Sequence, residues 1–268
     1  MAQRYVRVQS QSRQLHYGLL QSDRSVHVLD APPWLQGQAT EIVLEADTYR
    51  LLAPCAPSKI LAVGKNYAKH AAEMGGGIPK EPLLFMKPST AVTSTEAPIY
   101  YPSQSQQVDY EGELALVIGE RCVDCDEDTA KDKIWGYTIA NDVTARDLQA
   151  RDHQWIRAKG FDSFCPLGPW IVRELNPEAR IQTFLNEAPD PVQVGQICDM
   201  LFKPETLVAY ISQVMTLLPG DIVLTGTPEG VGPIQNGDRV RVEIEGIGSL
   251  ENNVQARPVP AQVAHKQI

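Results

Sequence analysis

The stretch Val108–Gly119, VDYEGELALVIG, decides how this chain is read. Its second half, LALVIG, is a continuous apolar run, the pattern of a strand buried on both faces. Its first half places Asp109, Glu111 and Glu113 at alternate positions. Residues i and i+2 of a strand point the same way, roughly 6.6–6.8 Å apart along the axis. Glu111 and Glu113 therefore share a face, while Tyr110 and Leu114 pack inward on the other and Gly112 adds no bulk there. Two carboxylates this close repel unless something positive lies between them. A divalent cation resolves the conflict, because hard oxygen ligands suit Mg²⁺, Ca²⁺ or Mn²⁺. An isolated Glu-x-Glu is ordinarily a solvated strand face, so a third acid is needed. GYTIANDVTARDLQ supplies one: Asp142 ends a second apolar strand, and Arg146 and Gln149 follow. A strand end is a natural place for a site residue.

The bulk numbers narrow the function classes. At 268 residues the chain can bury a sizeable core as one large domain, or one large and one small. A formal net charge of -9 gives no attraction to phosphate backbones or anionic membranes, so nucleic acid is not expected as a partner. No apolar run reaches the roughly 18 residues of a membrane helix, and MAQRYVRVQS lacks a signal-peptide core. The expectation is a cytoplasmic protein. The scattered cysteines, Cys55, Cys122, Cys125, Cys165 and Cys198, agree. The lone CxxC, Cys122 to Cys125, stands among acids in RCVDCDED and reads as a polar loop rather than a zinc or redox motif.

Residues 1–55 read as a small N-terminal β-rich domain. RYVRVQS, QLHYGLLQ and SVHVLD are short strands, Pro54 and Pro57 close the unit, and His16 and His27 carry no evident chemistry. Residues 56–268 read as a mainly β catalytic domain with a few helices, an α+β chain rather than alternating βαβ units. KILAVG, PLLFMKP, PLGPWIV, RIQTFLN, DIVLTGT, DRVRVEIE and the tail are strands. NYAKHAAEM predicts a helix with Asn66 as N-cap, stopping at Gly75–Gly77. Residues 126–134 and RDLQARDHQW predict two more, and PETLVAYISQVMTL has the clearest helical spacing.

The segments VGKNYAKHAAE, PLLFMKP, VDYEGELALVIG, GYTIANDVTARDLQ, KGFDSFCPLGPW and PGDIVLTGTPEGVG follow in this order over residues 61–233. Together they resemble the fumarylacetoacetate hydrolase family, in its short acylpyruvase and oxaloacetate decarboxylase-like branch. The resemblance implies a β-rich catalytic fold, a mixed β-sandwich roll, and usually a homodimer. It implies Mg²⁺ or Mn²⁺ held by Glu111, Glu113 and Asp142. It also implies a hydrolase or decarboxylase of small 2-oxo acids with a β-carbonyl, such as acetylpyruvate, fumarylpyruvate or oxaloacetate, working through the enolate of pyruvate held at the metal. The same scaffold also suits an oxaloacetate keto–enol tautomerase, a 2-hydroxyhepta-2,4-diene-1,7-dioate isomerase, or a non-catalytic ligand-binding relative.

Other residues fall around that centre. His70 and Glu73, at i and i+3 of the first predicted helix, share a face. A carboxylate beside an imidazole fixes its tautomer and raises its basicity, which makes His70 a candidate base for activating water. Alone, HxxE is more often a surface pair; in the family this segment is a lid, and the following glycines suit a hinge. HExxH is absent, which removes a zinc-protease reading, and GxxxxGK[ST] is absent from TGTPEGVG, which removes a P-loop. Lys159 matches the family's site lysine and can stabilise developing negative charge, with Asp162 to orient it. Phe164, Pro166 and Pro169 give that loop a packing core. Thr227 matches the family's substrate-facing threonine, and Arg146 and Gln149 match positions that contact the substrate's far end in some relatives. Lys87 and Tyr110 are candidate pocket-lining residues, and His153 and Trp155 have no assigned role.

Overall fold

In the computed structural model, which describes residues 2–75 and 77–258, the opening stretch becomes two strands, Val108–Tyr110 and Gly112–Ile118. The second lies inside a 12-stranded sheet, antiparallel to Ile134–Asn141 on one side and to Ile222–Leu224 on the other. Leu114, Leu116 and Ile118 join the larger apolar cluster, and Ala115 and Val117 join a second one. Both faces are thus covered, which is why the run carries no polar alternation.

From one edge inward the sheet runs Ala39–Leu44, Val26–Leu29, Leu15–Leu20, Arg4–Ser10, Cys165–Val172 and Ile134–Asn141. It continues with Gly112–Ile118, Ile222–Leu224, Ile60–Gly64 and Leu83–Lys87. The N-terminal strands therefore extend the same sheet, through the pairing of Tyr5 with Ile171. Two of them escaped the sequence pattern. Ala39–Leu44, ATEIVL, is a mostly exposed edge that leaves Ile42 and Val43 in solvent, and Tyr49–Leu52 pairs with Arg4–Ser10. Trp34, 8% exposed, packs against Trp135 and Tyr17 with ring centroids 5.9 and 5.3 Å away.

A 5-stranded sheet, Gln193–Gln196, Arg180–Leu185, Arg239–Ile244, Gly248–Ala256 and Ile99–Tyr101, covers the larger cluster. Ile181, Val240, Val242, Ile244 and Leu250 reach it from this side. Helix Pro204–Val214, begun by proline at its first position and Glu205 in its first turn, adds Val208 and Ile211. Helix Glu127–Lys133 starts at Asp126, whose side chain accepts the Thr129 N–H at 2.8 Å. The architecture is mainly β with a few helices, as the sequence predicts. Among the described residues no helix is long and apolar enough to cross a membrane.

Several local expectations are corrected. Asn66 does not cap the helix Ala68–Glu73, which starts after Tyr67. Its amide instead ties distant loops together, donating to Phe202 O and Thr225 O and accepting the Phe202 N–H. RDLQARDHQW is helical only over Arg146–Arg151, and Lys159 belongs to a separate helical turn, Ile156–Lys159, that follows the stretch. Pro166 and Pro169 lie within the strand Cys165–Val172 rather than in a loop, while Phe164 is fully buried beside Phe161. Cys122 is no polar-loop residue: it is buried in the larger cluster, its Sγ 2.7 Å from that of Cys125. Gly76, in the glycine run read as a hinge, and the tail from residue 259 lie outside the described residues.

Candidate active site

The strand register brings the acids together. Gly112 is paired with Asn141, and the Asp142 N–H donates to the Glu111 carbonyl at 2.8 Å. Asp142 thus stands directly across the strand pair from Glu111, with Glu113 two residues further along the same face. One carboxylate oxygen from each lies within 4.8 Å of the other two. All three side chains are buried, at 4%, 2% and 0% exposure for Glu111, Glu113 and Asp142. Gly112 is required where it stands, because a Cβ there would lie 2.4 Å from Thr183 Oγ1.

Three cations attend this cluster. The Lys159 ammonium donates to Glu111 Oε2 at 2.8 Å and Asp142 Oδ2 at 2.6 Å, with the Phe85 ring centroid 4.8 Å away. Lys87, fully buried, donates to Asp142 Oδ1 and to the Val143 carbonyl. Arg146 donates to Asp109 at 2.8 Å, to Glu111 Oε1 at 2.6 Å and to Gln149 Oε1 at 2.6 Å. These contacts split the two glutamates. Burial opposes charge on Glu111, but Lys159 and Arg146 outweigh it and hold its carboxyl below the ordinary range. Burial, then Asp142 and Glu111, pushes the Glu113 carboxyl well above it.

Among the described residues Glu113 has no ion-pair partner; it accepts one hydrogen bond, from the Gly226 N–H at 2.7 Å. Gly226, at φ +97°, brings its backbone that close where a Cβ would lie 2.7 Å from the Asn66 Cβ. A buried set of three hard oxygen donors, one of them short of a counter-charge, fits a divalent cation such as Mg²⁺ or Mn²⁺.

The acids open into a cavity of about 220 Å³, also lined by His70, Arg146, Gln149, Lys159 and Thr227. His70, 5% exposed, has Nδ1 3.0 Å from Glu73 Oε2. A carboxylate only accepts, so a neutral His70 ring carries its proton on Nδ1 and leaves Nε2 as the free nitrogen. Glu73 Oε1 in turn accepts the Gly230 N–H at 3.0 Å, tying the helix Ala68–Glu73 to the TGTPEGVG loop. Burial pushes the Lys159 pKa down, but Asp142 and Glu111 more than reverse this, so the ammonium stays charged.

Of the residues singled out in the sequence, Glu111, Glu113, Asp142, His70, Arg146, Gln149, Lys159 and Thr227 line this cavity and Glu73 reaches it through His70, whereas Lys87, Tyr110 and His153 are not part of its lining. Asp162 does not orient Lys159; it is exposed and pairs with Arg257, and the metal-side acids hold the lysine. The Thr227 hydroxyl donates to the Gly112 carbonyl and accepts from Gln193 Nε2, both at 2.9 Å, so it locks the loop to the strand. Arg146 spends its three nitrogens on protein partners, and among the described residues the NH₂ of Gln149, a cavity-lining residue, has no hydrogen-bond partner. Sequence reading missed Lys65, Met74 and Phe85 as lining residues and gave Trp155 no role, although it walls the cavity. It also missed Asn141, whose Oδ1 accepts the Glu111 N–H at 2.9 Å.

Comparison with known proteins bears on this geometry. The family model described as "Fumarylacetoacetate (FAA) hydrolase C-terminal" matches residues 59–255, and one described as "Rv2993c-like, N-terminal" matches residues 3–54. "Oxaloacetate tautomerase FAHD1, mitochondrial" of Arabidopsis thaliana is 40% identical over 209 residues, 76% of this chain and 93% of the plant protein. The crystal structure of 5-carboxymethyl-2-hydroxymuconate delta-isomerase from Mycobacterium smegmatis is 43% identical. It superposes with a TM-score of 0.88, covering 95% of this chain and 100% of that one. Fumarylpyruvate hydrolase from Pseudomonas aeruginosa, in complex with Mn²⁺ and pyruvate, gives 0.72 at 34% identity, covering 78% and 92% of the two chains.

Proposed function

The chain belongs to the fumarylacetoacetate hydrolase family, and on that premise we propose that it is a divalent-metal-dependent enzyme that cleaves or decarboxylates small 2-oxo acids bearing a β-carbonyl. Acylpyruvates and oxaloacetate are the substrate class. The observation that carries this reading is the convergence, in one small cavity, of a buried three-carboxylate set and an imidazole–carboxylate pair. Glu111, Glu113 and Asp142 would hold Mg²⁺ or Mn²⁺, which when bound supplies a Lewis acid for the 2-oxo group.

The chain's own residues account for the rest. Lys159, kept protonated between Glu111 and Asp142, presents a fixed positive charge to oxygen that turns negative as the reaction proceeds. Glu73 holds His70 with Nε2 free to take a proton from water. The hydroxide so formed adds to the acyl carbonyl carbon, and the bond between that carbon and C3 breaks. The bonding electrons leave on the pyruvate fragment, which takes the proton back from His70 at C3. The products are a carboxylic acid and pyruvate, and atoms balance with one water consumed. The Gln149 amide, fixed by Arg146, is free to donate to a substrate oxygen.

A second reading has its own support: the relatives include an oxaloacetate tautomerase and an isomerase at 40% and 43% identity. In that reading the same His70 removes a proton from C3 and no carbon–carbon bond is cut. One assay separates the two. Purified protein is given acetylpyruvate, oxaloacetate and enol-oxaloacetate, each with Mg²⁺ and with chelator. Carbon–carbon cleavage that chelator stops supports the first reading; rapid loss of enol without cleavage selects the second.

A further inference from the structure

We infer that Lys65 receives the second carboxylate of a dicarboxylic 2-oxo acid, and so selects diacids over substrates with an uncharged distal end. The inference rests on the proposed reading of the cavity as a 2-oxo acid site.

Four cationic side chains, Lys65, Lys87, Arg146 and Lys159, line or adjoin the cavity. Lys159 is held by Glu111 and Asp142, Lys87 by Asp142, and Arg146 by Asp109 and Glu111. Each of these three cations is already paired with at least one carboxylate of the protein. Lys65 lines the same cavity, is half-buried, and forms no ion pair or side-chain hydrogen bond among the described residues. A lysine on a cavity wall with no protein counter-charge is a ready acceptor of an anionic ligand group.

The backbone makes this placement specific. Lys65 has φ +57°, a left-handed conformation that non-glycine residues seldom adopt and that is kept where surrounding structure enforces it. The enforcement comes from both sides. The strand Ile60–Gly64 ends immediately before it, within the large sheet. Asn66 immediately after it makes three side-chain hydrogen bonds to residues far along the chain. The turn that sets Lys65 on the cavity wall also leads into the helix carrying His70 and Glu73. A cation held by the three carboxylates would take the 2-oxo-acid end of the substrate, and in a cavity of about 220 Å³ the other end of a four- or five-carbon diacid remains close to the wall.

The test compares wild type with K65M and K65R, using two unreactive 2-oxo acids of equal chain length in saturating Mg²⁺. 2-Oxoglutarate carries a distal carboxylate and 2-oxovalerate a methyl in its place. K65M should weaken 2-oxoglutarate by about 10–100-fold, the worth of one hydrogen bond to a charged group, and leave 2-oxovalerate within about twofold. K65R should restore 2-oxoglutarate, and K65M should raise KM for oxaloacetate but not for acetylpyruvate. Mg²⁺ affinity and melting temperature, unchanged in K65M, verify the fold; K65Q replaces K65M if that variant does not fold. Equal effects on both ligands, or none on either, overturn the inference while leaving the wider reading intact. Wild type that takes Mg²⁺ but binds neither ligand removes that reading, and this inference with it.

Discussion

Replacing Lys159 with methionine tests the electrostatics of the site most sharply. The side chain is 2% exposed, and its ammonium makes hydrogen bonds of 2.8 Å to Glu111 and 2.6 Å to Asp142. Methionine keeps much of the stem but leaves two buried carboxylates without the charge between them. Removing one partner of a buried ion pair costs about 3–5 kcal/mol. Arg146 still holds Glu111 and Lys87 still holds Asp142, which sets the loss near the lower end, about 3 kcal/mol. At about 2–4 °C per kcal/mol for a chain of this size, metal-free K159M should melt roughly 6–12 °C below wild type. Saturating Mg²⁺ should recover part of that difference, because a dication supplies the missing positive charge. Turnover should not recover: losing a donor aimed at developing negative charge lowers kcat by about 10²–10³. Calorimetric melts with Mg²⁺ and with chelator, beside steady-state kinetics on oxaloacetate and acetylpyruvate, read both. A melt equal to wild type without metal, or undiminished turnover with it, refutes the reasoning.

Other outcomes follow from the same contacts. His70→Ala should lower kcat for cleavage by about 10²–10⁴ while leaving Mg²⁺ affinity unchanged, and unaltered cleavage removes the base assignment. Gly112→Ala places a Cβ 2.4 Å from Thr183 Oγ1, so it should destabilise by about 1–3 kcal/mol in urea unfolding and weaken Mg²⁺ binding; a neutral result contradicts the packing. Trp34→Ala should cost about 3–5 kcal/mol without changing kcat, since the ring packs on Trp135 and Tyr17 away from the cavity. Burial and the neighbouring acids raise the Glu113 pKa, so in metal-free protein this carboxyl holds its proton to higher pH than an ordinary one and the cation competes with that proton. Mg²⁺ affinity should therefore weaken as pH falls through that raised pKa and level off above it. Titration calorimetry in two buffers of different ionisation heat detects the released proton, and identical heats contradict it.

The acids were legible because strand periodicity places Glu111 and Glu113 on one face from local sequence alone. Asp142 was not: its place opposite Glu111 depends on the register Gly112↔Asn141, which spacing does not encode and only the family resemblance supplied. Local rules misled at Asn66, whose partners Thr225 and Phe202 are 159 and 136 residues away. Asp162 misled for the same reason, since its proximity to Lys159 in sequence says nothing about which acid reaches the ammonium. Lys87 looked like a pocket-lining residue, and nothing in PLLFMKP indicates that its charge is fully buried against Asp142. The positive φ at Lys65 is imposed by the surrounding structure, so its place on the cavity wall left no trace in sequence. The edge strand Ala39–Leu44 went unseen because its apolar residues run together as Ile42–Leu44 and lack the alternation that marks a half-buried strand.

Mn²⁺ titration of metal-stripped protein, followed by electron paramagnetic resonance, probes the carboxylate centre itself. Wild type should take up one ion per chain, and Glu111→Ala, Glu113→Ala and Asp142→Ala should each lose it while remaining folded. Uptake unchanged in all three variants, or full turnover by protein freed of every divalent ion, would contradict the assignment.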